Sequence, residues 1–248
     1  MVTLHALRRQ IEARLRRSGI EEASLDARLL ISHILPITEI DFAINGNREV
    51  TDNQLKAIET LVSKRTNRIP MSQIFGEKEF WSLAFKVTND TLTPRPDSET
   101  LIEVALKEIK DKEVPFSILD LGTGSGCLLL SLLSELKNAT GTGVDISEKV
   151  LDVASENAKT LNMESRATFL KSNWFDVLSQ KDRFDIIISN PPYIGLNEKP
   201  SLTPEVSDHE PHQALFAGDK GLDDYTKIAD EILNHIKEET LIILEIGY

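Results

Sequence analysis

The chain has 248 residues, 40% apolar and 27% charged, enough for one large or two small domains with real cores and too apolar for a disordered or fibrous protein. Its formal net charge of −12 disfavours a non-specific nucleic-acid binder, whose phosphate contacts need clustered Lys and Arg. A single cysteine, Cys127, excludes internal disulfides and multi-cysteine metal sites and fits a reducing compartment, and the longest apolar runs fall short of the ~20 residues a membrane span needs.

In chain order, residues 1–75 read as helices only. Leu4, Leu7, Ile11 and Leu15 recur at helical spacing between a Thr3 cap and Gly19, which predicts a first amphipathic helix. Its Arg8, Arg9, Arg14, Arg16 and Arg17 could be mistaken for an organelle-targeting peptide; the plainer reading is a solvated face. A second helix runs through Leu25, Leu29, Leu30 and Ile34 to Pro36, and a short turn is expected over Ile37 to Ile44. Thr51 and Gln54 stand in capping-box register before a helix through Leu55, Ile58, Leu61 and Val62. A hairpin is expected where Phe80-Trp81 and Phe85-Lys86-Val87 flank Ser82-Leu83-Ala84. Thr93 to Glu99 combines prolines with a helix-start signal ahead of a helix from Leu101 to Lys110.

From residue 116 the pattern alternates strand and helix, the signature of a mostly parallel α/β sheet. Strands are expected at Phe116–Leu121, Gly141–Asp145, Ala167–Lys171, Asp185–Ser189 and Thr240–Ile246. Helices are expected at Cys127–Leu136, Glu148–Leu161 and Asp223–Ile236. The domains read as 1–75 helical bundle, 76–93 hairpin linker and 94–248 α/β domain.

Two motifs carry chemistry. Gly122-Thr123-Gly124-Ser125-Gly126 sits where a strand becomes a helix, so backbone N–H groups can meet a ligand closely. Its glycines fall at every second position, unlike the dinucleotide pattern, and no phosphate-binding Gly-Lys-Ser follows; a nucleoside cofactor without phosphates fits better. Asp145, ending the next strand, is placed for ribose hydroxyls or to cap the following helix. Trp174 is placed to cover an adenine ring or to sit in the core. The second motif is Asn190-Pro191-Pro192-Tyr193. Prolines offer only carbonyl oxygens, Asn190 adds an amide and Tyr193 an aromatic face, a set suited to holding a planar NH2 group. His209 and His212 lie in an acidic loop without metal-ligand spacing, so no metal is expected. Cys127, with no base nearby in sequence, reads as a buried small residue.

Asp120 to Gly126 followed by Asn-Pro-Pro-Tyr resembles the S-adenosyl-L-methionine-dependent methyltransferases of the Rossmann-like class. Nearly the whole chain resembles the release factor glutamine N5-methyltransferases within it. The helical start, Phe80-Trp81-Ser82, Thr93 to Glu99, Trp174-Phe175, Asn190 to Ile194, Glu210-Pro211 with Ala214-Leu215 and Glu245-Ile246-Gly247 carry that likeness. It implies a Rossmann-like sheet with an N-terminal bundle that docks the substrate. It implies methylation of the glutamine side-chain amide in the Gly-Gly-Gln loop of peptide chain release factors 1 and 2. Carried over by position, Gly122, Thr123, Gly124, Ser125, Gly126, Asp145, Trp174 and Asn190 would hold the cofactor. Asn190, Pro191, Pro192 and Tyr193 would hold the glutamine, with Asn190, Pro191 and Tyr193 catalytic.

Ser98 stands where threonine is common, and Asn173 where aspartate often precedes the Trp. Asn-Pro-Pro-Tyr is shared with enzymes that methylate adenine or guanine amino groups, which leaves a nucleic-acid amino-methyltransferase as the alternative. The expected protein is a cytoplasmic monomer with neither membrane nor direct nucleic-acid partners. Chains of this fold usually continue beyond the Glu245 strand. The chain is therefore expected to be truncated or part of a longer protein, with Leu241 to Ile246 an exposed apolar edge.

Overall fold

The structure, a computed structural model, describes residues 2–247. They form two units. One runs up to Phe75 and includes Pro204–His209; the other is Gly76–Thr203 with the chain from Glu210 on.

The first unit is a helical bundle. Strand β1 (Val2–Thr3) leads into α1 (Leu4–Arg17), where the Thr3 hydroxyl accepts the Ala6 N–H at 3.3 Å. The predicted stripe Leu4, Leu7, Ile11 and Leu15 is buried, while Arg9, Arg16 and Arg17 are exposed, a solvated face. Next come α2 (Ala23–Ile34), α3 (Glu39–Ile44), β2 (Glu49–Val50), which pairs antiparallel with β1, α4 (Asp52–Thr66) and α5 (Met71–Phe75). The expected turn over 37–44 is instead a short helix. Thr38 and Asp41 form a capping box there, with Asp41 Oδ2 accepting the Thr38 N–H at 2.7 Å. The Thr51–Gln54 box forms as the spacing predicts, with the Thr51 N–H donating to Gln54 Oε1 at 3.0 Å.

The second unit opens with a hairpin of β3 (Glu77–Phe80) and β4 (Leu83–Lys86), paired antiparallel. Its turn is Trp81-Ser82 rather than Ser82 to Ala84. Both residues have positive φ, 52° and 57°, which a two-residue hairpin turn of this hand requires. A single 3-10 turn, Pro96–Ser98, precedes α6 (Glu99–Glu108). Then alternate β5 (Ser117–Leu121), α7 (Cys127–Glu135), β6 (Thr140–Asp145), α8 (Glu148–Thr160), β7 (Ala167–Lys171) and β8 (Phe184–Ser189). Helix α9 (Pro204–His209) belongs to the bundle unit, and α10 (Asp223–Glu231) and β9 (Ile236–Leu244) close the sheet. The last strand starts earlier than Thr240 because residues 232–235 are a 3-10 turn rather than a continuation of the helix. The β8–β9 register shifts between Phe184 and Ile186, which absorbs the extra residues.

The five strands lie in the order β7-β6-β5-β8-β9, every pair parallel. Ile118, Ile186 and Ile188 pack on one face with Leu129 and Leu133; Leu119, Leu121 and Ile187 pack on the other with Val144 and Ile228. Apolar side chains on both faces explain why these strands read as continuous apolar runs. Among the described residues strand β9 lies at the edge of the sheet, with Ile242 within it 39% exposed and Ile246 beyond it 74% exposed. The strand order reverses between β5 and β8, since β6 and β7 are added on one side of β5 and β8 and β9 on the other, and at such a switch the strand ends open a crevice for a ligand.

In the bundle unit, Arg65 of α4 donates from Nε to Asp26 of α2 at 2.7 Å and from Nη1 to Glu205 of α9 at 2.8 Å. Arg68 Nη2 takes the other Glu205 oxygen at 2.6 Å. Burial works against the Glu205 charge, but Arg65 and Arg68 outweigh it and hold its carboxyl below the ordinary value.

Candidate active site

A cavity of about 470 Å³ lies at the carboxyl ends of β5, β6 and β8. Gly122, Gly124 and Gly126 carry φ values of 69°, 57° and 81°, so only glycine takes this path without strain, and Gly126 passes directly into α7. A Cβ on Gly124 would meet nothing nearer than the Gly122 carbonyl at 4.0 Å; a side chain there would simply fill the cavity. That open cradle, with no lysine in the loop, fits a nucleoside ligand without phosphates.

The loop is buttressed from behind. Thr123 donates its hydroxyl to Asp120 Oδ2 at 2.7 Å, and its N–H to the Val144 carbonyl at 2.9 Å. Asp120 is fully buried, and burial pushes its carboxyl up to about 7 despite the Thr123 hydrogen bond. Asp145 lines the cavity, accepting the Gly124 N–H at 3.2 Å and the Ser147 N–H at 3.0 Å. Burial raises its pKa above the ordinary carboxylate value. Ser147, not Asp145, holds the cap position of α8. Trp174 lines the cavity with its ring beside Gly122 and also packs on the core; its indole N–H donates to Asp224 Oδ1 at 3.3 Å. Part of the Cys127 surface faces the cavity, but burial of the sulfur pushes its thiol up to about 12, which leaves no thiolate.

Asn190 follows β8 directly. Strands β5 and β8 are locked at their tips by the Ser189 hydroxyl, which donates to the Leu121 carbonyl at 2.6 Å. Beyond the prolines the backbone is caught again where the Ile194 N–H meets the Leu215 carbonyl at 3.0 Å. Asn190 and Pro192 line the cavity together with Gly122 to Ser125, Asp145 and Trp174. Gly126, Pro191 and Tyr193 are not among its lining residues. Pro191 is buried, and Tyr193 donates its hydroxyl to Glu245 Oε1 at 3.4 Å.

The site also contains residues that the sequence reading did not assign to it. Arg95 lines the cavity and is held at 2.5 Å by Glu210, whose carboxylate is only 1% exposed. Ser98 lines it too, and Asp224 and Lys227 contribute from α10, paired at 2.8 Å. Arg95, Ser98 and Glu210 stood inside quoted motifs; Asp224 and Lys227 carry no short-range signal. Among the described residues no group of three or more His, Cys, Asp or Glu could hold a metal ion, and no helix is long and apolar enough to cross a membrane.

Residues 6–76 match the PrmC N-terminal domain and residues 112–246 a methyltransferase domain. The release factor glutamine methyltransferase of Caulobacter vibrioides is 40% identical over 235 residues, which span 95% of this chain and 81% of that protein. That of Cereibacter sphaeroides is 42% identical over 235 residues, spanning 94% and 82%. Among solved structures, the hMettl16 catalytic domain superposes with a TM-score of 0.51 at 16% identity, over 82% of this chain and 72% of that one, a likeness of fold. With this site on this sheet, and with such relatives over most of its length, the chain belongs to the release factor glutamine methyltransferase family.

Proposed function

We propose that this protein transfers a methyl group from S-adenosylmethionine to the side-chain amide nitrogen of the glutamine in the Gly-Gly-Gln motif of peptide chain release factors. The observation that carries the reading is Asn190 opening onto the same cavity as Gly122 to Ser125, at the tips of two adjacent strands.

S-adenosylmethionine, when bound, supplies an electrophilic methyl group. Gly122 to Gly126, Asp145 and Trp174 would hold it, with Asp145 suited to ribose hydroxyls and Trp174 to the face of an adenine ring. An amide nitrogen is a weak nucleophile because its lone pair is delocalised into the carbonyl. Asn190 Oδ1 and the Pro191 carbonyl accept its two hydrogens and turn the lone pair toward the methyl carbon, while Pro192 and Tyr193 keep the amide plane in register. Formation of the C–N bond would break the methyl carbon–sulfur bond, whose electron pair stays on sulfur to leave S-adenosylhomocysteine, and the surplus proton of the amide nitrogen leaves to water, so no strong base is needed. Orientation and proximity carry most of the acceleration, inside the ~7–11 kcal/mol ceiling for such effects.

The bundle unit docks the release factor, the unit that opens with the hairpin at Gly76 carries the transfer, and the reaction takes place in the cytoplasm. The test is mass spectrometry of release factors 1 and 2 after incubation with the protein and S-adenosylmethionine, alongside DNA and RNA. The expected result is one added methyl on the Gly-Gly-Gln peptide. Methyl transfer to nucleic acid with none to the peptide would overturn the assignment.

A further inference from the structure

We propose that Glu245 is a positioning residue that works through Ser98 to decide which end of the Asn190 carboxamide is offered to the substrate; the inference rests on the functional reading above. Ser98 Oγ lies 2.5 Å from Glu245 Oε2 and 3.1 Å from Asn190 Nδ2. An ionised carboxylate can only accept, so the one Ser98 hydroxyl proton goes to Glu245. What Ser98 has left is lone pairs, and these can only receive a donor. The two ends of an asparagine carboxamide have nearly the same shape, so the surrounding hydrogen bonds decide which end points where. Here the NH2 end is drawn to Ser98, and Oδ1 becomes the end available to a substrate N–H. Reversed, Asn190 would present two donors to an amide that is itself a donor, and the acceptor pair would be lost.

Glu245 is well held for this task. Its N–H donates to the Ser189 carbonyl at 3.0 Å, and its own carbonyl accepts the Tyr225 hydroxyl at 2.6 Å. Burial, then Tyr193 and Glu245 beside it, push Tyr225 up to about 12, so it remains a donor. The second carboxylate oxygen accepts the Tyr193 hydroxyl at 3.4 Å. One carboxylate therefore orients both polar members of the Asn190–Tyr193 segment, one directly and one through a hydroxyl.

The backbone bonds of Glu245 survive truncation of its side chain, and Ser98→Ala removes one oxygen, so both variants should fold. Ser98→Ala, Glu245→Ala and the double variant are compared with wild type for kcat and KM on a release factor and for S-adenosylmethionine Kd. Each single change is expected to lower kcat by about 10- to 100-fold with KM and Kd little changed, as for a misplaced reacting group. The double variant should be no worse than the poorer single one, because both break the same chain. A second measurement needs no turnover: the side-chain amide protons of Asn190, followed by nitrogen-15 NMR, should lose protection from exchange in both single variants.

Wild-type kcat in Glu245→Ala, or losses that multiply in the double variant, would overturn the proposal. A wild-type protein that methylates no release factor, while the Asn190 resonances respond as expected, would overturn the functional reading and leave the positioning chain standing.

Discussion

Asp145 Oδ2 accepts the backbone N–H of Gly124 at 3.2 Å, which ties the acid ending β6 to the loop ending β5. Backbone N–H groups take only part of the carboxylate's acceptor capacity, and the remainder can receive hydroxyl groups. Asp145→Ala is expected to weaken S-adenosylmethionine binding by about 10- to 100-fold, the equivalent of a hydrogen bond to a charged group. Isothermal titration calorimetry measures it directly, and an unchanged Kd would remove Asp145 from the cofactor site.

Asn190→Ala removes the side-chain acceptor at the cavity while leaving β8 and its neighbours in place. The expected outcome is a fall in kcat of about 100-fold or more with the melting temperature preserved. Single-turnover methyl transfer from labelled cofactor reads it. Undiminished turnover would exclude Asn190 from the mechanism.

Asp120 makes stability depend on pH in a stated direction. Its folded-state pKa of about 7 lies above the ordinary 3.8, so the folded chain prefers the protonated carboxyl. The contribution is full below 3.8 and is lost as pH rises through about 7. Asp120→Asn keeps a neutral acceptor for Thr123 and removes the titration. Relative to wild type, the variant should gain stability between about pH 4 and pH 8, by an amount on the order of a few kcal/mol. Urea unfolding at a series of pH values tests this; a difference that stays flat, or one of opposite slope, contradicts it.

Arg65→Ala would leave Asp26 buried without its charge partner, while Glu205 keeps Arg68. A loss of about 3–5 kcal/mol is expected for the bundle unit, as for other buried pairs broken from one side. Arg68→Ala, at a more exposed position, should cost less. Denaturation followed by probes in each unit separates the effect; equal losses from the two variants would count against it.

The parallel sheet and the glycine loop were legible because their causes are local: runs of β-branched residues, and three glycines at positions where each φ is positive. The Thr51–Gln54 cap was legible for the same reason. The hairpin turn was not, because tryptophan and serine seldom adopt the left-handed conformation that Trp81 and Ser82 take. Distant groups are available to hold it: the Trp81 N–H donates to Glu99 Oε1 at 2.8 Å and its indole N–H to Glu135 at 3.1 Å. Such tertiary bonds leave no mark in a short window. The helix at 39–44 was missed because its capping box uses an aspartate where glutamate or glutamine is the usual signal. Asn190 could be singled out from its neighbours in sequence, but its link to Ser98 and Glu245 could not, since those two residues are 147 positions apart.

The Ser189 hydroxyl bond to the Leu121 carbonyl fastens the strand leading to the glycine loop to the strand leading to Asn190. Neighbouring strands are separated by about 4.8 Å, a spacing that thermal motion scarcely changes. On the proposed assignment of the site, the gap a methyl group must cross would be inherited from the pitch of the β-ladder rather than from the reach of flexible loops. A protein using such a fixed gauge would admit acceptors of very different size outside the cavity while holding the reacting atoms at one separation.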